Sequence, residues 1–336
     1  MSSQITVAVV VRNEEAYIEQ CISSLFHQEG APEFEVLIVD SSSTDATPAI
    51  CKKLKDRFPN LRYIEIPHRG IGYARMRAVE ETKTVFLAFL DGDCKAPTDW
   101  LKILYEGYQR HKETNRPLFA VGGSHKAFPD SSSFQKILSL FKSSFFASGS
   151  SAYRNVANKD RVVSHIPTAN VLYTMDLLQH TMPDPSFQIS NEDGDISYRA
   201  QKLAYHLVQI EGSFVYHKMQ PTFRAWLRSM HAYGYGKMQF ILKHHFQSGS
   251  LVIFLLPIVC LLATVVLLLC SPLVLEYLAL LYALLIFFEI LRIGLKEKSL
   301  YTLVMLFVLF PITHIFYAIG EIHYILSLPI TRNWKT

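Results

Sequence analysis

Two clusters of acidic residues have the types and spacing that metal-assisted phosphate chemistry requires. Asp91 and Asp93 follow the apolar run 85–90 directly and are separated only by Gly92. A buried strand that ends in this way places both charges at its tip, where the ligand crevice of an open α/β sheet lies. Acids at that position can hold a divalent cation against a diphosphate. The second cluster, at 192–193, lies far along the chain, which predicts a separate role.

Each cluster also has a purely structural interpretation. Asp91 and Asp93 could form a calcium-binding or capping turn, although neighbouring like charges are costly without a counter-ion. Mg²⁺ or Mn²⁺ would supply that counter-ion and would stabilise negative charge on a leaving group. The cluster at 192–193 could instead be an acidic first helical turn, which the helix dipole favours. The residue types alone leave both interpretations open.

The sequence predicts strands that alternate with helices, and these elements position the acids. Apolar runs rich in β-branched residues predict strands at 5–11, 34–40 and 62–66, and the strand that ends at Asp91 is the fourth. Segments with helical spacing follow the runs. This alternation predicts an α/β domain with a mostly parallel sheet wound by crossover connections. Further along, a helix at 131–146 has an apolar side that we expect to lie on the sheet or on a membrane.

Composition divides the chain into a polar head and an apolar tail. Of all residues, 50% are hydrophobic, which is a high fraction for a purely soluble protein. Leu, Ile, Val and Phe dominate from Leu251 onward, in three segments that are each long enough to cross a hydrocarbon core of about 30 Å. These segments are 251–270, 273–293 and 300–320. They predict a multi-pass membrane protein, with two full spans and one interfacial helix as the alternative.

Charge and cysteine content restrict the location and the partners of the head. The N-terminus lacks the basic, apolar leader that directs secretion, so we expect a cytoplasmic head. Between Glu211 and Glu276 there is no Asp or Glu, but there are five Lys and Arg residues. A basic segment of this kind would be favoured beside an anionic membrane leaflet. A net charge of +4 is too small to indicate nucleic-acid binding. The five cysteines have no CxxC spacing and predict neither a disulfide framework nor a zinc site.

Five short motifs occur in the order and spacing that is typical of inverting glycosyltransferases of family 2, and the chain resembles that family over roughly its first 220 residues. The resemblance implies the GT-A fold, followed here by transmembrane helices, and transfer of a sugar from a nucleotide-sugar donor. The motifs are Val9-Val10-Val11-Arg12-Asn13-Glu14-Glu15, Ile38-Val39-Asp40-Ser41-Ser42-Ser43-Thr44-Asp45, Gly72-Tyr73-Ala74-Arg75, Asp91-Gly92-Asp93 and Glu192-Asp193.

The first three motifs would bind the nucleotide sugar. The resemblance implies that Asp40 accepts a hydrogen bond from the base, or else Asp40 only caps the following helix. Arg12 and Glu14 are candidate contacts to base and ribose, or else solvated loop charges. Arg75, near the start of a helix, could reach a phosphate or ribose oxygen, or else form a surface salt bridge. Three serines at 41–43 replace the Asp-Gly-Ser that follows the first Asp in many relatives, which leaves UDP and GDP sugars as alternatives.

The fourth motif would hold the metal. The resemblance implies that Asp91 and Gly92 contact the nucleotide sugar and that Asp91 and Asp93 bind Mn²⁺ or Mg²⁺. His217 follows a strand-like segment and resembles the late histidine that some GT-A enzymes add to the metal. A lone histidine is also common as a structural or interfacial residue, so both roles stay open.

The last motif would act on the acceptor. The resemblance makes Asp193 the general base, which takes a proton from the acceptor hydroxyl while that oxygen attacks C1 of the sugar. Glu192, Ala169 and Asn170 are the candidate acceptor-binding residues. We expect the acceptor to be lipid-linked or a glycan at the cytoplasmic membrane face, with membrane lipid as a further partner.

These inferences predict four regions and a single-sugar transferase. The regions are a GT-A domain at 1–216, a basic and aromatic interfacial segment at 217–248, a membrane region at 249–326 and a tail at 327–336. A processive polysaccharide synthase is the nearest alternative, but the Gln-x-x-Arg-Trp motif of such enzymes is missing. A nucleotidyltransferase would carry a Gly-rich phosphate loop after its first strand, and this chain does not. A non-catalytic membrane protein with the GT-A fold is the alternative from another class.

Overall fold

The described part of the chain forms two compact units. The computed structural model describes residues 4–144, 147, 155–245, 271–297 and 299–328. The first unit lies within Met1–Asp130, Ser150–Gln188 and Glu192–Lys218, and the second lies within Ser131–Gly149, Ile189–Asn191 and Met219–Thr336.

The first unit is built on a sheet to which nine described strands contribute. The strands are β1 (Ile5–Val11), β2 (Phe34–Asp40), β3 (Leu61–Glu65), β4 (Phe86–Asp91), β5 (Cys94–Lys95), β6 (Leu118–Lys126), β7 (Arg161–Val163), β8 (Asn170–Thr174) and β9 (His206–His217). Their order across the sheet is β3-β2-β1-β4-β8-β6-β9-β5, and β7 pairs with β9.

Most of these strands point in one direction. β1 pairs in parallel with β2 and β4, β2 pairs in parallel with β3, and β6 pairs in parallel with β9. β8 runs antiparallel between β4 and β6, so β6 and β9 point the same way as β4. Only β5, β7 and β8 of the described strands run in the opposite direction. The predicted α/β architecture with a mostly parallel sheet is confirmed.

Burial on both faces explains why the first strand is apolar throughout. All seven residues of β1 are buried, and alternate side chains enter opposite cores. Val7 and Val9 belong to one hydrophobic cluster, whereas Ala8 and Val10 belong to the other. A central strand covered on both faces therefore reads as a continuous apolar run rather than as an alternating one.

Helices cover the two faces of the sheet. They are α1 (Ile18–Leu25), α2 (Thr47–Arg57), α3 (Ile71–Glu81), α4 (Trp100–His111), Met175–Leu178 with the following 3₁₀ turn Gln179–Thr181, and Glu192–Lys202. Buried residues of α1, α2 and α4 join the cluster that contains Val7. Buried residues of α3 and of the helix Glu192–Lys202 join the cluster that contains Ala8. The first unit is thus a sheet between two helical layers, as the GT-A expectation requires.

The start of α3 lies against a neighbouring loop with no room for a side chain. The backbone N–H of Gly72 donates to the carbonyl oxygen of Phe187 at 2.9 Å. A Cβ atom at Gly72 would collide with the carbonyl oxygen of Asp184 and would lie 2.9 Å from that of Phe187. Backbone atoms cannot move aside as a side chain can. This close approach fixes the helix from which Arg75 projects.

We expect Gly72→Ala to lower the free energy of unfolding by about 1–3 kcal/mol, the usual cost of overpacking. The melting temperature in detergent measures the effect. Gly107→Ala is the comparison, because its Cβ would meet the buried side chain of Ile210 at 2.7 Å rather than backbone, and we expect a smaller loss there. Equal melting temperatures for Gly72→Ala and the unchanged protein would contradict the close approach.

The second unit is helical. Its helices are α5 (Ser133–Lys142), Phe223–Lys243, Pro272–Glu297 and Leu300–Ser327. Ser132 and Gln135 form a capping box at the start of α5, which explains why the helix begins there. The apolar side of α5 packs within this unit, since the Phe141 ring lies 5.4 Å from that of Trp226 and 4.8 Å from that of Phe310. The prediction named the sheet or a membrane as the surface that this side faces, whereas these ring contacts are to helices of its own unit.

One of the described helices, Leu300–Ser327, is long and apolar enough to cross a membrane. It continues through Pro311 without interruption. The second predicted span corresponds to the helix Pro272–Glu297, while the first, 251–270, lies outside the described residues. A single candidate span suggests association with a membrane but does not support the predicted multi-pass arrangement.

Candidate active site

Three neighbouring strands bring the predicted groups to one edge of the sheet. In the parallel registers, Val11 at the end of β1 lies beside Asp40 at the end of β2. Val10 lies beside Asp91 at the end of β4. The carboxyl ends of these strands therefore carry Asp40, Asp91 and the loop that begins at Arg12. This edge is where an open α/β sheet binds its ligands.

The strand β9 brings His217 to the acids at the tip of β4. Cys94 of β5 pairs with His217 in the sheet. The Nε2 atom of His217 lies 3.7 Å from Oδ1 of Asp93 and 4.0 Å from Oδ2 of Asp91. These separations are too long for hydrogen bonds. Its Nδ1 atom lies 2.7 Å from the carbonyl oxygen of Lys218, and because that oxygen can only accept, Nδ1 carries the proton.

This arrangement fits a divalent cation. In the neutral imidazole with its proton on Nδ1, Nε2 presents a lone pair to the two carboxylates. The imidazole and both carboxylates can then each donate an electron pair to a cation, because no proton lies between them. Two carboxylate oxygens and an imidazole nitrogen suit Mn²⁺ well and Mg²⁺ acceptably. The backbone carbonyl of Lys218 orients the ring, as outer hydrogen bonds do in metal centres.

Cys94 also lies in this group and was missed by sequence reasoning. Its sulfur lies among the ligand atoms of Asp93 and His217, all within 4.8 Å of one another. Burial, followed by the charges of Asp93 and Asp91, raises the pKa of the Cys94 thiol well above its usual range. The sulfur therefore stays protonated and points its weak donor at Oδ1 of Asp93, 3.9 Å away.

Glu14 and Arg12, two residues apart, have different surroundings. Burial, then the negative charge of Asp93, raises the pKa of Glu14 to about 7, although the ammonium of Lys218 opposes the shift from 3.6 Å. Arg12 is exposed, and its Nη1 lies 2.9 Å from Nε2 of His68. Glu14 thus belongs to the acid cluster, whereas Arg12 lies at its rim. Their predicted contacts to base and ribose stay predictions.

Gly92 leaves no space between the acids and β1. A Cβ at this position would lie 2.5 Å from Cγ1 of Val11. The turn after β4 can therefore follow the sheet edge only because residue 92 has no side chain. The predicted contact of Gly92 with a nucleotide sugar stays a prediction.

Arg75 connects the acid at the strand tip with the second acidic cluster. Its side chain is 3% exposed, with Nη2 2.7 Å from Oδ1 of Asp91 and Nε 3.0 Å from Oε1 of Glu192. Burial opposes the charge of Arg75, but the two carboxylates outweigh burial and raise its pKa. Its Nη1 atom has no hydrogen-bond partner among the described residues. The predicted phosphate or ribose contact of Arg75 stays a prediction, and Nη1 is the donor that could make it.

Asp193 and Glu192 are neighbours with opposite electrostatic settings. Oδ2 of Asp193 lies 3.2 Å from Nε2 of His165, and Oδ1 accepts the backbone N–H of Gly194 at 2.7 Å. Although burial opposes ionisation, these two groups lower the pKa of Asp193. Burial and the adjacent charge of Asp193 raise the pKa of Glu192, and its pairing with Arg75 only partly offsets them. At neutral pH Asp193 is therefore ionised, as a general base must be.

Asp40 is fully buried, and both of its carboxylate oxygens accept hydrogen bonds. The backbone N–H of Ser43 donates to Oδ1 at 2.9 Å, and the hydroxyl of Tyr63 donates to Oδ2 at 3.0 Å. Tyr63 was not predicted, because nothing in the spacing of β3 distinguishes it from a packing residue. The role of Asp40 in recognising the base stays a prediction.

The structure places the predicted acceptor residues in the packing around β8. Ala169 is buried, and the Asn170 amide accepts from the Trp100 indole at 2.8 Å and donates to the Ser124 carbonyl at 3.0 Å. Glu192, the third of them, is engaged by Arg75. The acceptor-binding role of these three residues stays a prediction.

Comparison with known proteins gives the family. The family model described as "Glycosyl transferase family 2" matches residues 6–180. Glycosyltransferase AglE of Haloferax volcanii is 28% identical over 238 residues, which are 70% of this chain and 73% of that protein. A dolichyl N-acetyl-alpha-D-glucosaminyl phosphate 3-beta-D-2,3-diacetamido-2,3-dideoxy-beta-D-glucuronosyltransferase of Methanococcus voltae is 32% identical over 122 residues, 35% of this chain and 38% of that protein.

A solved structure is similar over nearly the whole chain. It is the mannosyltransferase PcManGT from Pyrobaculum calidifontis in complex with GDP-Man and Mn²⁺, with a TM-score of 0.60 at 16% identity. The similarity covers 98% of this chain and 89% of that one, and it supports the GT-A fold. The family match takes in more than half of the 336 residues. The chain therefore belongs to glycosyl transferase family 2.

Proposed function

We propose that the protein is an inverting glycosyltransferase that moves one sugar from a UDP- or GDP-linked donor to a hydroxyl of a lipid-linked or glycan acceptor. Family membership supports glycosyl transfer as the reaction class. The observation that carries the finer proposal is the bridge from Asp91 through Arg75 to Glu192, beside Asp193. It joins a site suited to a diphosphate with a carboxylate suited to deprotonating an acceptor.

Asp91, Asp93 and His217 would hold Mn²⁺ or Mg²⁺ in this proposal. When bound, the cation neutralises negative charge on the diphosphate of the donor. The convergence of their donor atoms supports this assignment, as does the similar mannosyltransferase in complex with GDP-Man and Mn²⁺. Asp40, Arg12 and the loop around them would receive the base and the ribose.

Asp193 would act as the general base. The proton of the acceptor hydroxyl passes to a carboxylate oxygen of Asp193 as the acceptor oxygen forms a bond to C1 of the sugar. The bond between C1 and the diphosphate breaks, and its electron pair leaves with the nucleoside diphosphate. A single displacement of this kind inverts the anomeric centre and needs no covalent intermediate. Because its pKa is lowered, Asp193 is ionised at neutral pH and has a lone pair available for the proton.

The acceptor is proposed to be at the cytoplasmic face of a membrane. The apolar helix Leu300–Ser327 and the basic segment 217–248 support a position beside anionic lipid. A relative whose name describes a dolichyl-linked substrate supports a lipid-linked acceptor. In this proposal 1–216 carries out catalysis together with His217, 249–326 anchors the chain, and 327–336 is a tail.

A screen of nucleotide sugars tests the proposal. We expect one class, UDP or GDP sugars, to raise the melting temperature of the detergent-solubilised protein in the presence of Mn²⁺ and not in EDTA, because a ligand stabilises the state that binds it. With acceptor, the same donor should release nucleoside diphosphate. Release of pyrophosphate, or no shift across the whole panel, would contradict the proposal.

A further inference from the structure

A histidine outside the family motifs contacts the carboxylate that we assign as the base. Nε2 of His165 lies 3.2 Å from Oδ2 of Asp193, and the two side chains are 23% and 22% exposed. This exposure allows both side chains to contact a substrate. Their partial burial reduces the screening of their interaction by solvent. Because the backbone N–H of Gly194 contacts Oδ1 at 2.7 Å, each carboxylate oxygen has one donor. Two donors on the two oxygens fix the plane of the carboxylate and leave lone pairs for a third contact.

The other charged groups around Asp193 do not replace this contact. Glu192 is adjacent and carries the same sign of charge when ionised. Arg75 is buried nearby, but its ion pairs are to Asp91 and Glu192. Tyr173 lies close enough for the charge of Asp193 to contribute to its raised pKa. Within the described part of the chain, His165 is the group with an ion-pair contact to Asp193.

We propose that His165 is a positioning residue for glycosyl transfer, whose imidazole orients the Asp193 carboxylate toward the acceptor hydroxyl. This inference rests on the proposed function, in which Asp193 is the general base. His165 does not itself exchange a proton with the substrate. It restricts rotation of the carboxylate and offsets the repulsion between Asp193 and Glu192.

Removal of the imidazole has two consequences. Without the contact at Oδ2, the carboxylate can rotate about its terminal bond, and misplacement of a reacting group by about 1 Å can cost about 100-fold in rate. The pKa of Asp193, which His165 lowers, would also rise. Because only the ionised carboxylate accepts a proton, the acidic limb of the kcat profile would move to higher pH. A residue that only filled space would leave that limb unchanged.

Two replacements separate orientation from packing. His165→Leu removes the donor and keeps much of the volume, and we expect kcat to fall about 10- to 100-fold with the KM for the donor unchanged. His165→Gln places an amide N–H near the position of Nε2, and we expect it to recover most of kcat. In both variants the acidic limb should move to higher pH, since neither side chain supplies the electrostatic contribution by which His165 lowers the pKa of Asp193.

The measurement is kcat and KM against pH, with nucleoside diphosphate release as the readout on the full-length protein in detergent. His180→Gln is the matched control, because His180 is exposed and its contact is to the hydroxyl of Tyr205 at 2.9 Å. It should behave as the unchanged protein does. The melting temperature of each variant shows whether it is folded. If His165→Leu does not fold, the kcat and pH profile of His165→Gln alone test the positioning role.

The outcomes distinguish this inference from the proposed function. If Asp193→Asn is inactive while both His165 variants retain the kcat and the pH profile of the unchanged protein, the positioning role is overturned and the base stands. Equal losses in His165→Leu and His165→Gln without a shifted acidic limb would also overturn it, because they indicate packing alone. If Asp193→Asn retains full transfer, the proposed base itself is wrong.

Discussion

Asp193→Asn is expected to remove nearly all glycosyl transfer while donor binding stays intact. Asparagine has the same shape, and its carbonyl oxygen can still accept the N–H of Gly194. Its amide cannot take a proton from a hydroxyl, and general-base catalysis typically contributes about 10²- to 10⁴-fold in rate. We therefore expect a loss of that size in kcat, measured as release of nucleoside diphosphate with a hydroxyl acceptor. The melting-temperature shift on donor binding should be unchanged.

Asp176→Asn is the control for this experiment, because Asp176 is an exposed carboxylate that accepts from the next backbone N–H. A mild effect of Asp193→Asn would contradict the assignment of a hydroxyl acceptor. A phosphate oxygen is already ionised at neutral pH and needs little help from a base. In that case the acceptor would be a phosphate, and the role of Asp193 would reduce to orientation.

The first four strands could be predicted from the sequence because their signals are local. The apolar runs at 5–11 and 34–40 match β1 and β2 in both bounds. β1 is buried throughout and β2 from Val36 onward, so composition alone predicts both strands. The acids at the strand tips could be predicted for the same reason, since an apolar run that ends in charge indicates where the chain leaves the core.

β8 was not predicted, because its position depends on partners far away in the chain. Its five residues are all buried and pair antiparallel with both β4 and β6. The Asn170 that begins this strand was instead predicted to bind the acceptor. Its amide hydrogen bonds depend on Trp100 and Ser124, which no local pattern connects to it.

The partners of the site residues could not be predicted either. The family motifs identify Arg75 and the acids, but Arg75 reaches Glu192 across 117 residues of sequence. His165 belongs to no motif, and only the fold brings it to Asp193. Motif order therefore predicts which residues act on the substrate, while the residues that orient them emerge from tertiary structure.

Arg75 makes the two halves of the site depend on each other. Its guanidinium is buried and contacts one carboxylate from each acidic cluster. Removal of one partner from a buried ion pair leaves an uncompensated charge and is strongly destabilising. Binding of a nucleotide-sugar donor that changes the charge around Asp91 would thus change the electrostatic surroundings of Glu192 and of the neighbouring Asp193 through the Arg75 side chain.

The double replacement Asp91→Asn and Asp93→Asn is expected to weaken donor binding through loss of the cation. Without cation, the variant is relieved of the repulsion between two neighbouring acids but loses the Asp91 charge that pairs with the buried guanidinium of Arg75. The amide oxygen introduced at position 91 can still accept a hydrogen bond from Arg75, so we expect the melting temperature to fall only modestly. With Mn²⁺, the variant should bind the nucleotide donor at least about 100-fold more weakly, because carboxylates are the ligands that hard cations prefer.

Calorimetric titration of UDP and GDP, with Mn²⁺ and with EDTA, measures this effect. Asp99→Asn is the matched control, since Asp99 is an exposed carboxylate that makes no side-chain capping bond to α4. In EDTA the unchanged protein should bind no more tightly than the variant, because the cation is gone and its two carboxylates then repel the diphosphate. If the unchanged protein binds as tightly in EDTA as in Mn²⁺, or if the double variant turns over at the full rate, the two acids serve another purpose than metal binding. If the variant binds weakly and its melting temperature falls by much more than this, the weak binding is attributed to damage to the Arg75 bridge rather than to loss of the cation.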